Sequence, residues 1–183
     1  PTDQVSVSLW VQTTDANEAD RHSVSGAALF SYVGRGDPGG SEFVVMVSPS
    51  GYVQAFIHGG LVNTQAMVAD GAMHHVVVTW NRGLGDEDRW VRIFVDGRQR
   101  YSAFGPMYCD ANCGGTDSAA AAAPPLSNQG CLLLGQLPDT SAITDEDEWV
   151  CGSVLRDDFS FEGYISSVSV WDHALDDTTI SNL

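Results

Sequence analysis

The sequence predicts an all-β fold, two antiparallel sheets packed face to face as a sandwich. Three observations carry this. Short apolar runs with period-two alternation recur from Val5 to Trp171. Clusters of Gly, Pro, Asn, Asp and Ser punctuate them at turn-like intervals. A helical signal is confined to the C-terminal end, where Asp176 or Asp177 can cap a turn and Ile180 and Leu183 can pack it back.

Val5–Val11 alternates Val5, Val7, Leu9 and Val11 against Ser6, Ser8 and Trp10, a strand with period two. Thr13–Ser25 is polar and acidic and reads as a loop. Gly26–Val33 is a second strand, followed by the turn-rich Gly34–Ser41. Glu42–Ser48 and Tyr52–His58 flank Pro49-Ser50-Gly51 and form a hairpin. Leu61–Val68 is a weaker strand, closed by the Asp70-Gly71 turn. His75–Trp80 is strongly β-forming and is expected at a sheet centre. An acidic tip, Asp86-Glu87-Asp88, separates it from Trp90–Val95. Asp96-Gly97 then turns the chain into Arg98–Ala103, the strongest short hairpin signal present. Cys131–Gln136 is the next strand. The long closing strand begins after Gly163, with Tyr164, Val168 and Val170 assigned to one face and Ile165 and Trp171 to the other. Apolar residues on both faces imply that both are covered. Trp10, Trp80 and Trp171 all read as core.

Two segments are different in kind. Gly105–Gly130 holds Cys109, Cys113, a run of alanines from Ala119 to Ala123 and Pro124-Pro125. Leu137–Asp158 holds the acidic run Asp145–Glu148 and Cys151. They read as loop insertions at about 105–130 and 137–158 of one 183-residue domain.

Acidic residues outnumber basic ones 24 to 8, for a net charge of −16, and every basic residue is Arg. Such a surface disfavours nucleic acid and anionic membranes as partners. No apolar run approaches membrane-spanning length, no signal-peptide pattern is present and no glycosylation sequon occurs. The chain starts at Pro1, so a mature product or a piece of a longer protein is expected. Four cysteines, Cys109, Cys113, Cys131 and Cys151, imply two disulfides and an oxidising compartment, because their spacings lack the paired knuckles of zinc sites. Cys131 opens its strand at the end where the Cys109/Cys113 insertion arrives, so a bond to one of these two is expected. Cys151 then takes the other, and the neighbour pattern Cys109–Cys113 with Cys131–Cys151 stays open.

Four motifs, in order, resemble the laminin G-like and pentraxin group, which shares the concanavalin A-like jelly roll. They are SVSLWVQT at 6–13, MHHVVVTWN at 73–81, VRIFVDGR at 91–98, and LLLGQ with FEGYISSVSVWDHAL near the end. The resemblance implies a two-sheet antiparallel jelly-roll sandwich. Met73 stands where the family has Trp. Ser8 and Val77 stand where pentraxins carry a disulfide between the opening strand and the His-rich strand. One strand that the family places before the opening one is missing, so completion of one sheet edge by sequence outside this chain is expected.

The same resemblance implies a calcium clamp between the loop after Phe30-Ser31-Tyr32 and the loop after Leu134-Gly135-Gln136. The candidate ligands are Asp37, Asp139, Asp145 and Asp147, with Glu42, Glu146 and Glu148 as further carboxylates; calcium needs six to eight oxygens. Leu137 and Pro138 replace the family's Glu and Gln, so only Asp139 matches there. Arg35-Gly36-Asp37 is an integrin-type tripeptide, of a kind common by chance. Trp149 and Trp90 are candidate sugar-stacking platforms. His74 and His75 read as packing residues rather than ligands. Paired carboxylates on one strand, a nucleophile elbow and a phosphate loop are all lacking, which argues against an enzyme.

The expected protein is a non-catalytic extracellular module of a larger cell-surface, matrix or filament protein. Its partners would be a matrix or cell-surface glycan or protein, and other domains of the same chain. A calcium-dependent lectin is the first rival and a glycosidase the second. No cofactor other than calcium is implied.

Overall fold

The computed structural model describes residues 3–14, 26–34, 41–58, 60–83, 90–104, 126, 130–137, 155 and 159–183. The described residues form ten strands and one short helix: β1 (Gln4–Gln12), β2 (Ala27–Gly34), β3 (Ser41–Val47), β4 (Tyr52–Ile57), β5 (Gly60–Met67), β6 (Met73–Asn81), β7 (Trp90–Val95), β8 (Arg98–Phe104), β9 (Gly130–Leu134), β10 (Tyr164–Trp171) and α1 (Asp177–Ser181). Two five-stranded sheets run β10-β1-β6-β7-β8 and β5-β4-β3-β2-β9, with every pair antiparallel. This is the sandwich that the alternation predicts, and β6 lies at the centre of its sheet.

The alternating residues meet between the sheets. Val5, Val7, Leu9 and Val11 of β1 pack with Val76, Val78 and Trp80 of β6 and with Phe30, Phe43 and Val45 of the other sheet. Leu9, Phe43 and Ile93 are fully buried, each contributing on the order of 2 kcal/mol by loss of apolar surface to water. Phe30 and Phe43 meet edge to face, with centroids 6.1 Å apart. The Asp96-Gly97 turn takes positive φ at both residues, 54° and 69°. That is the type I′ geometry whose twist matches a hairpin.

The outer faces are covered as well. Val77 and Phe94 support Leu175 and Ile180, which hold α1 against the first sheet, with Trp171 packed beside them. Asp176 caps α1 by accepting from the Thr179 amide at 2.7 Å. On the second sheet Leu137 and Phe159 cover Ala28, Val44 and Met46. Ser8 and Val77 are direct partners across β1–β6, so the positions matched to the pentraxin disulfide do face each other.

The closing strand departs from expectation. β10 is an edge strand, paired with β1 alone among the described strands, and Tyr164 and Val170 are 71% and 47% exposed. Its two faces are therefore not both covered. The face assignment also changes, because the β1–β10 register shifts between Ser8 and Trp10 and Ser167 has φ 50°. This bulge moves one residue out of phase. Ile165 and Val168 thus share the inner face, together with Val170, which pairs with inward Val7; Trp171 turns outward to the helix. Gly163 begins the strand at φ 149°, where a Cβ would strike the Gln12 carbonyl.

Candidate functional site

Most residues singled out for binding lie outside the described residues: Arg35, Asp37, Cys109, Cys113, Asp139, Asp145, Asp147, Trp149 and Cys151. Cys131 is described; it is buried in β9 and disulfide-bonded. The described flanks of the two loops assigned to the calcium clamp leave from opposite ends of the β2–β9 ladder. Gly34 pairs with Gly130, and Phe30 pairs with Leu134. At about 3.4 Å per residue this is roughly 14 Å of strand. Glu42 is buried within β3. Among the described residues no group of three His, Cys, Asp or Glu side chains is arranged to hold a metal ion.

The tryptophans divide. Trp80 is core at 4% exposure. Trp10 and Trp171 are half-buried on the outer face rather than in the core, with Trp10 stacked on the His75 ring at 4.9 Å between centroids. Trp90 has the Arg92 guanidinium 4.1 Å above its ring, and Arg92 also pairs with Asp177 at 2.9 Å. This cation–π contact occupies one face of the Trp90 ring.

One feature that strand reasoning missed is an edge of the sandwich that stands open among the described residues. β9 and β10 are the adjoining edges of the two sheets. Gly135 and Ile165 bring them close at one end. Toward the other end they part around a cleft of about 340 Å³, lined by Val5, Phe30, Tyr32, Leu126, Leu132 and Val170. Leu132 pairs with Tyr32 and Leu134 with Phe30, so both face inward, yet each is 46% exposed. The signal was present in Cys131-Leu132-Leu133-Leu134, which is apolar without alternation. Sequence does not reveal that the opposing sheet ends short of it.

The histidines of β6 are the other cluster. The His74 ring nitrogens Nδ1 and Nε2 lie 2.8 Å from Asp96 Oδ2 and 3.0 Å from Asp70 Oδ1. Burial disfavours the imidazolium, but the bonds to Asp96 and Asp70 outweigh it and raise the His74 pKa above the ordinary histidine value. His75 is buried, with Nε2 2.7 Å from Ser8 Oγ, and burial pushes its pKa down. His74 thus joins two turn carboxylates, and His75 joins β6 to β1 through Ser8.

These features sit on a fold that comparison places in a family. A laminin G family model, described as the concanavalin A-like lectin/glucanases superfamily, matches residues 1–123, and the chain belongs to that superfamily. Human adhesion G protein-coupled receptor D2 is 30% identical over 155 residues, 81% of this chain but 13% of the receptor. The chain thus spans a small part of that relative's length. A heptameric SAP-like pentraxin from Limulus polyphemus matches with a TM-score of 0.66 and 15% identity, covering 98% of this chain and 69% of that one. The full extracellular region of zebrafish Gpr126/Adgrg6 matches at 0.59 and 17%, covering all of this chain and 20% of that one. At these identities the two structures speak for the fold alone. Among the described residues no helix is long and apolar enough to cross a membrane.

Proposed function

We propose that this chain is a non-catalytic binding or structural module that works at a cell surface or in the extracellular matrix, as one domain of a larger protein. The observation that carries the reading is the relationship to an adhesion receptor over most of this chain. The structure supports it in two ways. His74 and His75, with the carboxylates beside His74, are engaged in bonds that join strands and turns. A rigid double-sheet scaffold also leaves inward-facing leucines half exposed at one edge, which is unusual for a core position and suits a contact surface. The disulfide at Cys131 accords with an oxidising, extracellular setting.

The expected partner is a matrix or cell-surface protein or glycan. Immobilised panels of matrix proteins and glycans, probed with the folded chain and with a Leu132→Asp variant, test this reading. Saturable binding that the variant weakens supports it; release of sugar product from any glycan contradicts it. Calcium enters the proposal only through Asp37, Asp139, Asp145 and Asp147. Thermal unfolding with calcium or chelator decides that part. A native-state site raises Tm as calcium rises, and the rise must vanish in the Asp139→Asn, Asp147→Asn double variant.

A further inference from the structure

We infer that His74 is a proton-dependent clamp, joining the turn before β6 to the β7–β8 turn and thereby holding one end of the first sheet together. This inference stands independently of the proposed binding role. An ionised carboxylate only accepts, so bonding Asp96 and Asp70 at once requires a proton on each ring nitrogen. His74 meets both at bonding distance, with its side chain 13% exposed. The two carboxylates come from different turns, and each is fixed by a second contact. Asp96 Oδ1 accepts from the His75 amide at 3.0 Å, and Asp70 Oδ1 accepts from the Ala72 amide at 2.8 Å.

The clamp reaches beyond the three side chains. Between Asp70 and Ala72, the Gly71 amide donates to the Thr13 carbonyl at 2.9 Å. Gln12 Nε2 donates to the Gly71 carbonyl at 2.7 Å. Thr13 Oγ1 then donates to the Glu162 carbonyl at 2.7 Å, just before β10. A continuous set of bonds therefore runs from the β7–β8 turn through His74 to the ends of β1 and β10. The neutral ring keeps one proton. Losing the other breaks one of the two bonds and turns a ring lone pair toward a carboxylate. The charged and titratable groups that bear on the site are Asp70, Asp96, His75 and Arg100, the last acting on Asp96 from β8. His75 does not compete, since its ring is buried beneath Trp10 and bonded to Ser8.

The test is NMR on the whole chain, following the His74 ring nitrogens and the Gly71 amide through the neutral range. We expect both ring nitrogens to be protonated together, with a midpoint above the free value of about 6.5. Gly71 exchange, corrected for its intrinsic pH dependence, should rise about tenfold through that same midpoint. Asp96→Asn keeps the turn, since Asn tolerates positive φ, and should lower the midpoint. Asp70→Asn should do the same from an exposed position, and so serves if the first variant folds poorly. In His74→Gln the pH dependence of Gly71 exchange should vanish. A midpoint at or below the free value overturns the clamp, as does Gly71 protection that stays flat through the midpoint. Persistence of that pH dependence in His74→Gln overturns it too.

Discussion

Ser8 stands directly opposite Val77 across the β1–β6 ladder, within the buried stretch His75–Trp80 of a central strand. The two side chains find separate partners. Val77 packs on Phe94, Leu175 and Ile180, while Ser8 turns its hydroxyl to His75. Direct cross-strand partners hold their Cβ atoms about 4.5–5.5 Å apart, near what a disulfide spans. The double variant Ser8→Cys, Val77→Cys is therefore expected to form a bond in oxidised protein, seen as a linked peptide by mass spectrometry. It should raise stability by about 2 kcal/mol, because it closes a long loop. Recovery of both thiols in the free state would contradict this register.

The C-terminal segment depends on one buried hydroxyl. Ser6 Oγ lies 2.8 Å from Thr79 Oγ1 and 2.8 Å from the His173 carbonyl, and it accepts from the Leu175 amide at 2.9 Å. With its single proton on His173, Ser6 can also accept from Thr79, which satisfies all three neighbours. Ser6→Ala leaves the Leu175 amide without its partner at a buried site, at a cost of about 1–3 kcal/mol. Exchange of the Leu175 and Ile180 amides should increase more than that of β3 and β4. An unchanged denaturation midpoint would show that the latch carries no stability.

Stability should fall with pH on both sides of a maximum. The His74 pKa is raised, so its contribution is complete below about 6.5 and is lost as pH rises through the folded-state value. Asp96 and Asp70 have lowered pKa values. For Asp96 burial acts upward and is outweighed by bonds from His74 and the His75 amide; for Asp70 the Ala72 amide leads, then His74. Their contributions are complete above about 3.8 and are lost as pH falls through the folded-state values. His75 opposes His74: its lowered pKa, caused by burial, removes stability as pH falls below about 6.5. Urea midpoints across pH should separate these effects. In His74→Gln the loss on the alkaline side should disappear while the loss from His75 remains. An alkaline limb unchanged by that substitution would assign it elsewhere.

Much of the fold was legible because alternation and turn chemistry point the same way. Asp96-Gly97 and Pro49-Ser50-Gly51 turn where they should, and His75–Trp80 occupies a sheet centre. What alternation does not carry is a bulge. Ser166-Ser167 lies between Ile165 and Val168 in a stretch that reads evenly, yet positive φ at Ser167 shifts every later side chain to the other face. Edge placement was likewise hidden, since an apolar strand at an open edge has the composition of an enclosed one. Trp171 looked like core because an outer face covered by a terminal helix accepts the residues that an interior does, and Trp10 because its stacking on the His75 ring half-buries it on the outer face. The site was less legible than the fold. A His74 bonded to two turns depends on positions brought together from 22 residues apart as well as from the adjacent turn. The residues with the strongest ligand chemistry in the sequence lie outside the described residues.

The central claim is that this laminin G-like chain binds without catalysing, using the edge where β9 and β10 part. Binding of the folded chain to matrix-protein and glycan panels, side by side with Leu132→Asp and with an outer-surface control at 51%-exposed Leu61, Leu61→Asp, tests it most directly. The account predicts saturable binding, weakened at least about tenfold by the edge variant, or about 1.4 kcal/mol, unchanged by the control, and with no product formed. Equal binding by all three proteins, no binding to any surface, or turnover of a glycan would contradict it.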